Sequence, residues 1–139
     1  MSRLSKGLHA GRTRTTGGRE NGISRSSDGH LDIRFSTPGS ARIGTNPEQL
    51  FAAAWSACFE SEIVLAARKR KIVLPAGMAV DAELGLNLGD DGHFLSARLN
   101  ITVPGIDRIT AQALIDEAHE NCPYSKATRN NIDVAINLV

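Results

Sequence analysis

From Leu50 to Phe59 almost every position is apolar, and the surrounding stretch TNPEQLFAAAWSACFESEIVLAARKRK, residues 45–71, reads as one helix. Thr45 or Asn46 caps its start, Pro47 suits its first turn, and the basic cluster Arg68–Lys71 meets the negative end of its dipole. A helix that is apolar nearly all the way round is a buried helix. Elsewhere the apolar positions alternate, as in a strand. In HLDIRFS, Leu31, Ile33 and Phe35 share one face and Asp32 and Arg34 the other. Val80, Ala82, Leu84, Leu86 and Leu88 alternate, GDDG turns the chain, and Leu95, Ala97, Leu99, Ile101 and Val103 alternate again, which predicts a hairpin. TAQALIDEAHEN, from Thr110, is a second capped helix with an Ala113/Leu114/Ala118 face. CPYSKATRNN suits a further short helix with Pro123 at its first position, and IDVAINLV closes the chain as a strand. Residues 17–29, GGRENGISRSSDG, read as loop ending in an Asp28-Gly29 turn signal, and STPGSARIG is loop. The order of strands, buried helix, hairpin, helix and strand predicts an α+β fold. One sheet covers only one face of an all-apolar helix, so a homodimer is expected in which this helix packs against its own copy.

The chain has 139 residues, a length that suits one domain spanning 1–139. With one Trp and one Tyr, its core must be built from Ala, Leu, Ile and Val. A net charge of +1 argues for no nucleic-acid partner. The N-terminus, MSRLSKGLHAGRTRTT, is polar and lacks the apolar region of a signal peptide. The Leu50–Leu65 run is short for a membrane span and contains Glu60 and Glu62. No membrane partner is therefore expected, and the expected location is cytoplasmic. In a reducing compartment two cysteines are not a permanent staple.

Those cysteines are the first candidates for chemistry. Cys58 and Cys122 are 64 positions apart, with neither C-x-x-C nor zinc-site spacing. Cys58 reads equally well as a small core residue or as a reactive thiol. Cys122 precedes a proline at a helix start, where backbone N–H groups favour a thiolate. Arg19 in TGGRENG follows glycines that let the backbone bend, although a loop arginine alone is ordinarily solvated. Glu48 in the first helical turn is explained by the dipole alone. His119 and Cys122 have ligand-like spacing but no second pair accompanies them, so no metal is expected, and a solvated or capping His119 is the simpler reading. Glu60 and Glu62 mark where the long helix meets solvent.

TNPEQLFAAAWSACF, CPYSKATRNNI and TGGRENG together resemble the organic hydroperoxide resistance (Ohr) branch of the OsmC/Ohr family, and the likeness runs over nearly the whole chain. The resemblance implies antiparallel sheets wrapped around two central helices in an intertwined homodimer, with sites at the subunit interface. It implies a thiol peroxidase in which Cys58 attacks, Cys122 resolves, and Arg19 and Glu48 activate the site. It also implies an organic hydroperoxide substrate and dihydrolipoyl groups on lipoylated proteins as dithiol reductant, with no cofactor. Asn130 stands where glycine is common in the family, and Trp55, Glu60 and Glu62 are atypical of the Ohr branch. These departures bear on pocket shape and substrate preference.

Physical chemistry adds two expectations. A thiol in an apolar site is harder to ionise, so Cys58 needs a cation, for which Arg19 is the nominee. Glu48 and Cys58 are ten residues apart, roughly 15 Å along one helix, so an Arg19/Glu48 pair serving one Cys58 is expected to draw at least one residue from the partner subunit. Side chains of Leu, Phe, Ala and Trp around the thiol are expected to favour peroxides with an apolar R group. The rival readings are an OsmC-like peroxidase of broader range and a non-catalytic redox sensor, which would oxidise once and stop.

Overall fold

The computed structural model describes residues 6–139. They form two compact units, one ending at Pro47 and the other running from Glu48 to Val139. In the first unit, β1 (Thr13–Thr16), β2 (Ile23–Ser26) and β3 (Asp32–Arg34) pair antiparallel in that order. A single helical turn, α1 (Gly18–Asn21), links β1 to β2. Residues 17–29, expected to be loop, therefore hold one turn of helix and a strand. The strand ISRS escapes periodicity because it has a single apolar residue and Ser24 is its buried position. The Asp28-Gly29 turn closes β2 onto β3 as expected, with Gly29 at φ +76° and the His30 N–H donating to Asp28 Oδ1 at 2.9 Å.

From Glu48 onward the second unit holds α2 (Pro47–Lys69), the hairpin β4 (Ala79–Gly89) and β5 (Gly92–Thr102), α3 (Arg108–Asn121), α4 (Pro123–Thr128) and β6 (Asp133–Leu138). β4 and β5 pair antiparallel from Ala79↔Thr102 to Gly89↔Gly92. β6 lies on the other side of β5 and runs parallel to it, Ser96↔Asp133 through Ile101↔Leu138. The expectation of purely antiparallel sheets is thus corrected to a mixed sheet. Both α3 and α4 lie between β5 and β6 in the chain, and a crossover of that length can bring a strand back in the same direction.

The core lies between the sheet and the helices. β5 contributes Ala97, Leu99, Ile101 and Val103, the inward face that alternation marked. The α3 face is Ala111, Leu114, Ile115 and Ala118, with Ala113 only half-buried, and the helix begins at Arg108, two residues before the expected start. Asp107 caps it by accepting the Thr110 N–H at 3.0 Å. On α2 only Trp55, Phe59, Ile63, Ala66 and Ala67 are buried, a stripe at helical spacing. Ala53, Ala57, Ser61 and Leu65 on the opposite side are exposed. Within one chain the helix is therefore covered on one side, not on all sides.

The 23 residues of α2 also correct its reading as too short for a membrane span. It is long and apolar enough by length and composition, with a mean hydropathy of 1.4 over 18 residues. Its stripe of Trp55, Phe59 and Ile63, enclosed with Leu99 and Leu114, is what a core helix presents.

Asn130, where the family resemblance expects glycine, has φ +62°, the left-handed conformation that glycine and asparagine adopt most readily. Asn130→Gly is expected to change unfolding free energy by less than about 0.5 kcal/mol and Asn130→Val to lower it by about 1–2 kcal/mol, measured by denaturant unfolding.

Candidate functional site

The two thiols share the core of the second unit but not its degree of enclosure. Cys122 is fully buried among the core residues, whereas Cys58 is half-buried and packs against them. The reason for the difference is helical phase. Cys58 precedes Phe59, the middle of the buried stripe, by one residue and so is rotated about 100° toward its edge. The expectation of a thiol at the heart of the most buried helix is corrected: the enclosed thiol is Cys122.

Cys122 sits at the junction of α3 and α4. Its N–H donates to the Ala118 carbonyl at 2.8 Å and its carbonyl accepts from the Lys126 N–H at 2.9 Å, so both backbone groups are fixed. Pro123 opens α4 at the first helical position, as the sequence indicated.

Electrostatics around Cys58 oppose ionisation. Burial pushes its thiol above the ordinary value, and Cys122 and the Glu62 carboxylate push it in the same direction. Glu62 follows Cys58 by four residues on α2, one turn along the same face. Glu62, expected only to mark the emergence of the helix into solvent, thus acts on the thiol. Cys122 acts on Cys58 although no sequence spacing announced their proximity.

Aromatic side chains cluster on and beside α2. Trp55 and Phe59 are fully enclosed. Phe51 tilts against Trp55 with ring centroids 5.9 Å apart and meets Tyr124 edge-on at 6.1 Å. Trp55 and Phe59, expected around the thiol, thus belong to the core cluster against which Cys58 packs. His119, read as solvated or capping, is half-buried near Phe59, and its Nδ1 lies 2.9 Å from Ser125 Oγ. Burial and the Arg129 charge lower its pKa against a smaller opposing effect of Asp116. Ser125, fully buried, is a residue that sequence reasoning missed, since a serine in a short polar helix carries no periodic signal.

Glu48 occupies the first turn of α2, as expected. Arg19 belongs to the first unit, on α1. Its segment is rigidly shaped: Gly17 and Gly18 have φ +84° and +73°, and a Cβ on Gly22 would stand 2.2 Å from the Gly18 carbonyl oxygen. The Arg42 guanidinium holds this turn by donating from Nη2 to the Gly22 carbonyl at 3.1 Å and from Nε to the Phe35 carbonyl at 2.8 Å. Among the described residues, no group of three or more His, Cys, Asp or Glu side chains could hold a metal ion. A cavity of about 330 Å³ on the sheet, between Glu83, Arg98 and Asp133, includes neither thiol.

Residues 37–137 match the sequence model of the OsmC-like protein family. The chain belongs to the OsmC-like family. It is 43% identical over 142 residues to the organic hydroperoxide resistance protein of Xanthomonas axonopodis pv. citri, covering 99% of each chain. Among solved structures, the organic hydroperoxide resistance protein OsmC of Legionella pneumophila superposes with a TM-score of 0.88 at 38% identity, over 96% of this chain and 98% of that one. OhrB of Bacillus subtilis gives 0.85 at 38%, over 96% and 100%. The likeness to this branch, carried by three motifs, thus extends to an OsmC-like fold along nearly the full chain.

Removing a carboxylate that repels the Cys58 thiolate should ease ionisation. Glu62→Gln is expected to move the pH midpoint of Cys58 alkylation by iodoacetamide downward and to speed labelling at neutral pH. Mass-spectrometric labelling across pH checks this, with Cys122 unlabelled in the native chain.

Proposed function

We propose that this protein reduces organic hydroperoxides to alcohols through a thiol cycle. The observation that carries the reading is the pairing of one accessible and one enclosed thiol in the same core cluster. The organic hydroperoxide resistance proteins to which the chain is similar give the substrate class. In this reading the Cys58 thiolate attacks the outer oxygen of ROOH, the O–O bond breaks, and the alkoxide leaves as ROH after taking a proton. Cys58 becomes a sulfenic acid. The Cys122 sulfur then attacks the Cys58 sulfur, forming the disulfide and releasing water. A dithiol reduces the disulfide by exchange and is itself oxidised. We assign this reductant to dihydrolipoyl groups on lipoylated proteins, and the cycle to the cytoplasm, where reducing conditions sustain free thiols.

Exposure supports the order of the two thiols, since a peroxide reaches half-buried Cys58 before fully buried Cys122. The raised thiol pKa of Cys58 supports the need for a cation. We assign that cation to Arg19, whose guanidinium would hold the thiolate and donate to the peroxide oxygens, with Glu48 fixing it through paired hydrogen bonds. The roughly 15 Å between Glu48 and Cys58 along α2 supports a site shared between two subunits. The exposed small-residue stripe of Ala53, Ala57 and Ser61 supports a homodimer in which two copies of α2 approach closely.

Turnover of cumene hydroperoxide with dihydrolipoamide tests the reading. Cys58→Ser is expected to abolish it, and Cys122→Ser to consume one equivalent of peroxide and stall. Arg19→Ala should lower the rate and raise the pH midpoint of Cys58 alkylation. Hydrogen peroxide should be used at least about tenfold less efficiently, a difference of about 1.4 kcal/mol in transition-state binding. Equal use of both peroxides, or full activity of Cys58→Ser, overturns the proposal.

A further inference from the structure

One buried hydroxyl joins the three helices around the thiols. Trp55, the chain's one tryptophan, is fully enclosed on α2, and its Nε1–H donates to Ser125 Oγ on α4 at 3.1 Å. The same Oγ lies 2.9 Å from His119 Nδ1 on α3. A neutral imidazole accepts the serine proton while the serine oxygen accepts the indole proton, so both functions of the hydroxyl are used. Burial and Arg129 keep His119 toward that neutral form. Arg129 also donates to the His119 carbonyl, which closes α4 onto the end of α3.

The placement of this network relative to the cysteines gives it a task. Trp55 precedes Cys58 by three residues on α2, and Ser125 follows Cys122 by three residues. His119 precedes Cys122 by three, at the end of α3. The tie therefore spans from the turn beside one thiol to the turns on either side of the other. We propose that the Trp55–Ser125–His119 network is a positioning device that holds Cys122 in line for attack on the Cys58 sulfenic acid; this rests on the thiol-peroxidase reading. In that step the Cys122 sulfur bonds to the Cys58 sulfur, the Cys58 S–O bond breaks, and the leaving hydroxide takes the Cys122 proton to become water. A disulfide tolerates little error: its sulfurs end about 2.05 Å apart with Cα atoms usually 4.4–6.8 Å apart. A strut between α2 and α4 resists drift of one backbone past the other while the sulfurs rearrange. An apolar contact would resist separation of the helices but would not fix their register, because it has no direction.

Single-turnover kinetics with one equivalent of cumene hydroperoxide tests the proposal by separating the two chemical steps. Loss of peroxide reports attack by Cys58, a dimedone adduct reports the sulfenic acid, and non-reducing mass spectrometry reports the disulfide. Ser125→Ala and Trp55→Phe are expected to leave the rate of peroxide loss within about twofold of wild type. Disulfide formation should slow by about tenfold or more, with the dimedone adduct accumulating. Ser125→Thr, which keeps a hydroxyl, should restore most of the disulfide rate. Disulfide formation at the wild-type rate in a folded Trp55→Phe chain overturns the proposal, as does equal slowing of both steps. Should Ser125→Ala fail to fold, as judged by circular dichroism, Trp55→Phe decides by itself. A wild-type chain that forms neither adduct nor disulfide overturns the peroxidase reading and this proposal with it.

Discussion

The site depends on how α2 is rotated about its own axis. Burial of Trp55, Phe59 and Ile63 against Leu99 of β5 and Leu114 and Ile115 of α3 locks that rotation, because turning any of these side chains toward water forfeits about 1.5–3 kcal/mol for a large aliphatic or aromatic group. At about 100° per residue, locking Phe59 inward places Cys58 at the margin of the buried stripe and Glu62 close to it on the same side. The half-exposure of the thiol, its carboxylate neighbour and the enclosed tryptophan three residues before it are consequences of one packing decision.

That decision creates a chemical problem along with a chemical opportunity. A thiol at the edge of an apolar core is reachable by a small apolar molecule, yet burial, Cys122 and the Glu62 carboxylate all disfavour its thiolate. Under the proposed function a cation is the direct remedy, and its nominee, Arg19, lies on a single helical turn of the first unit. The Gly17-Gly18 bend, the close approach at Gly22 and the clamp from Arg42 shape the single turn that carries Arg19. The other thiol, Cys122, has its backbone fixed at the α3–α4 junction, and the Ser125 hydroxyl ties α4 to α2 and α3.

Local periodicity made the regular elements legible. The long helix, the hairpin, the second helix, the proline-started short helix and the closing strand all stand where alternation and capping signals put them. Strand β2 did not announce itself, because ISRS is half-exposed and mostly polar and gains its structure from pairing with both neighbours. Cys58, Cys122, Arg19 and Glu48 were nominated from motifs, but the environments of the two thiols were not legible there. Ser125 carried no signal, and His119 looked solvated.

What the sequence determined by itself is what depends on near neighbours along the chain: element type, the α+β order, the glycine-shaped turn at Arg19, and membership in a family recognisable from three short motifs. What only the tertiary structure decided is what depends on residues distant in the chain: the parallel return of β6, the side of α2 that is covered, the nearness of Cys58 to Cys122, and the bond from Trp55 to Ser125 across 70 positions. Hydrophobic patterning states that a face must be buried but not against what, because the hydrophobic effect is proportional to area and has no direction. Hydrogen bonds and charge pairs do have direction and partners, and those partners exist only once the chain has folded.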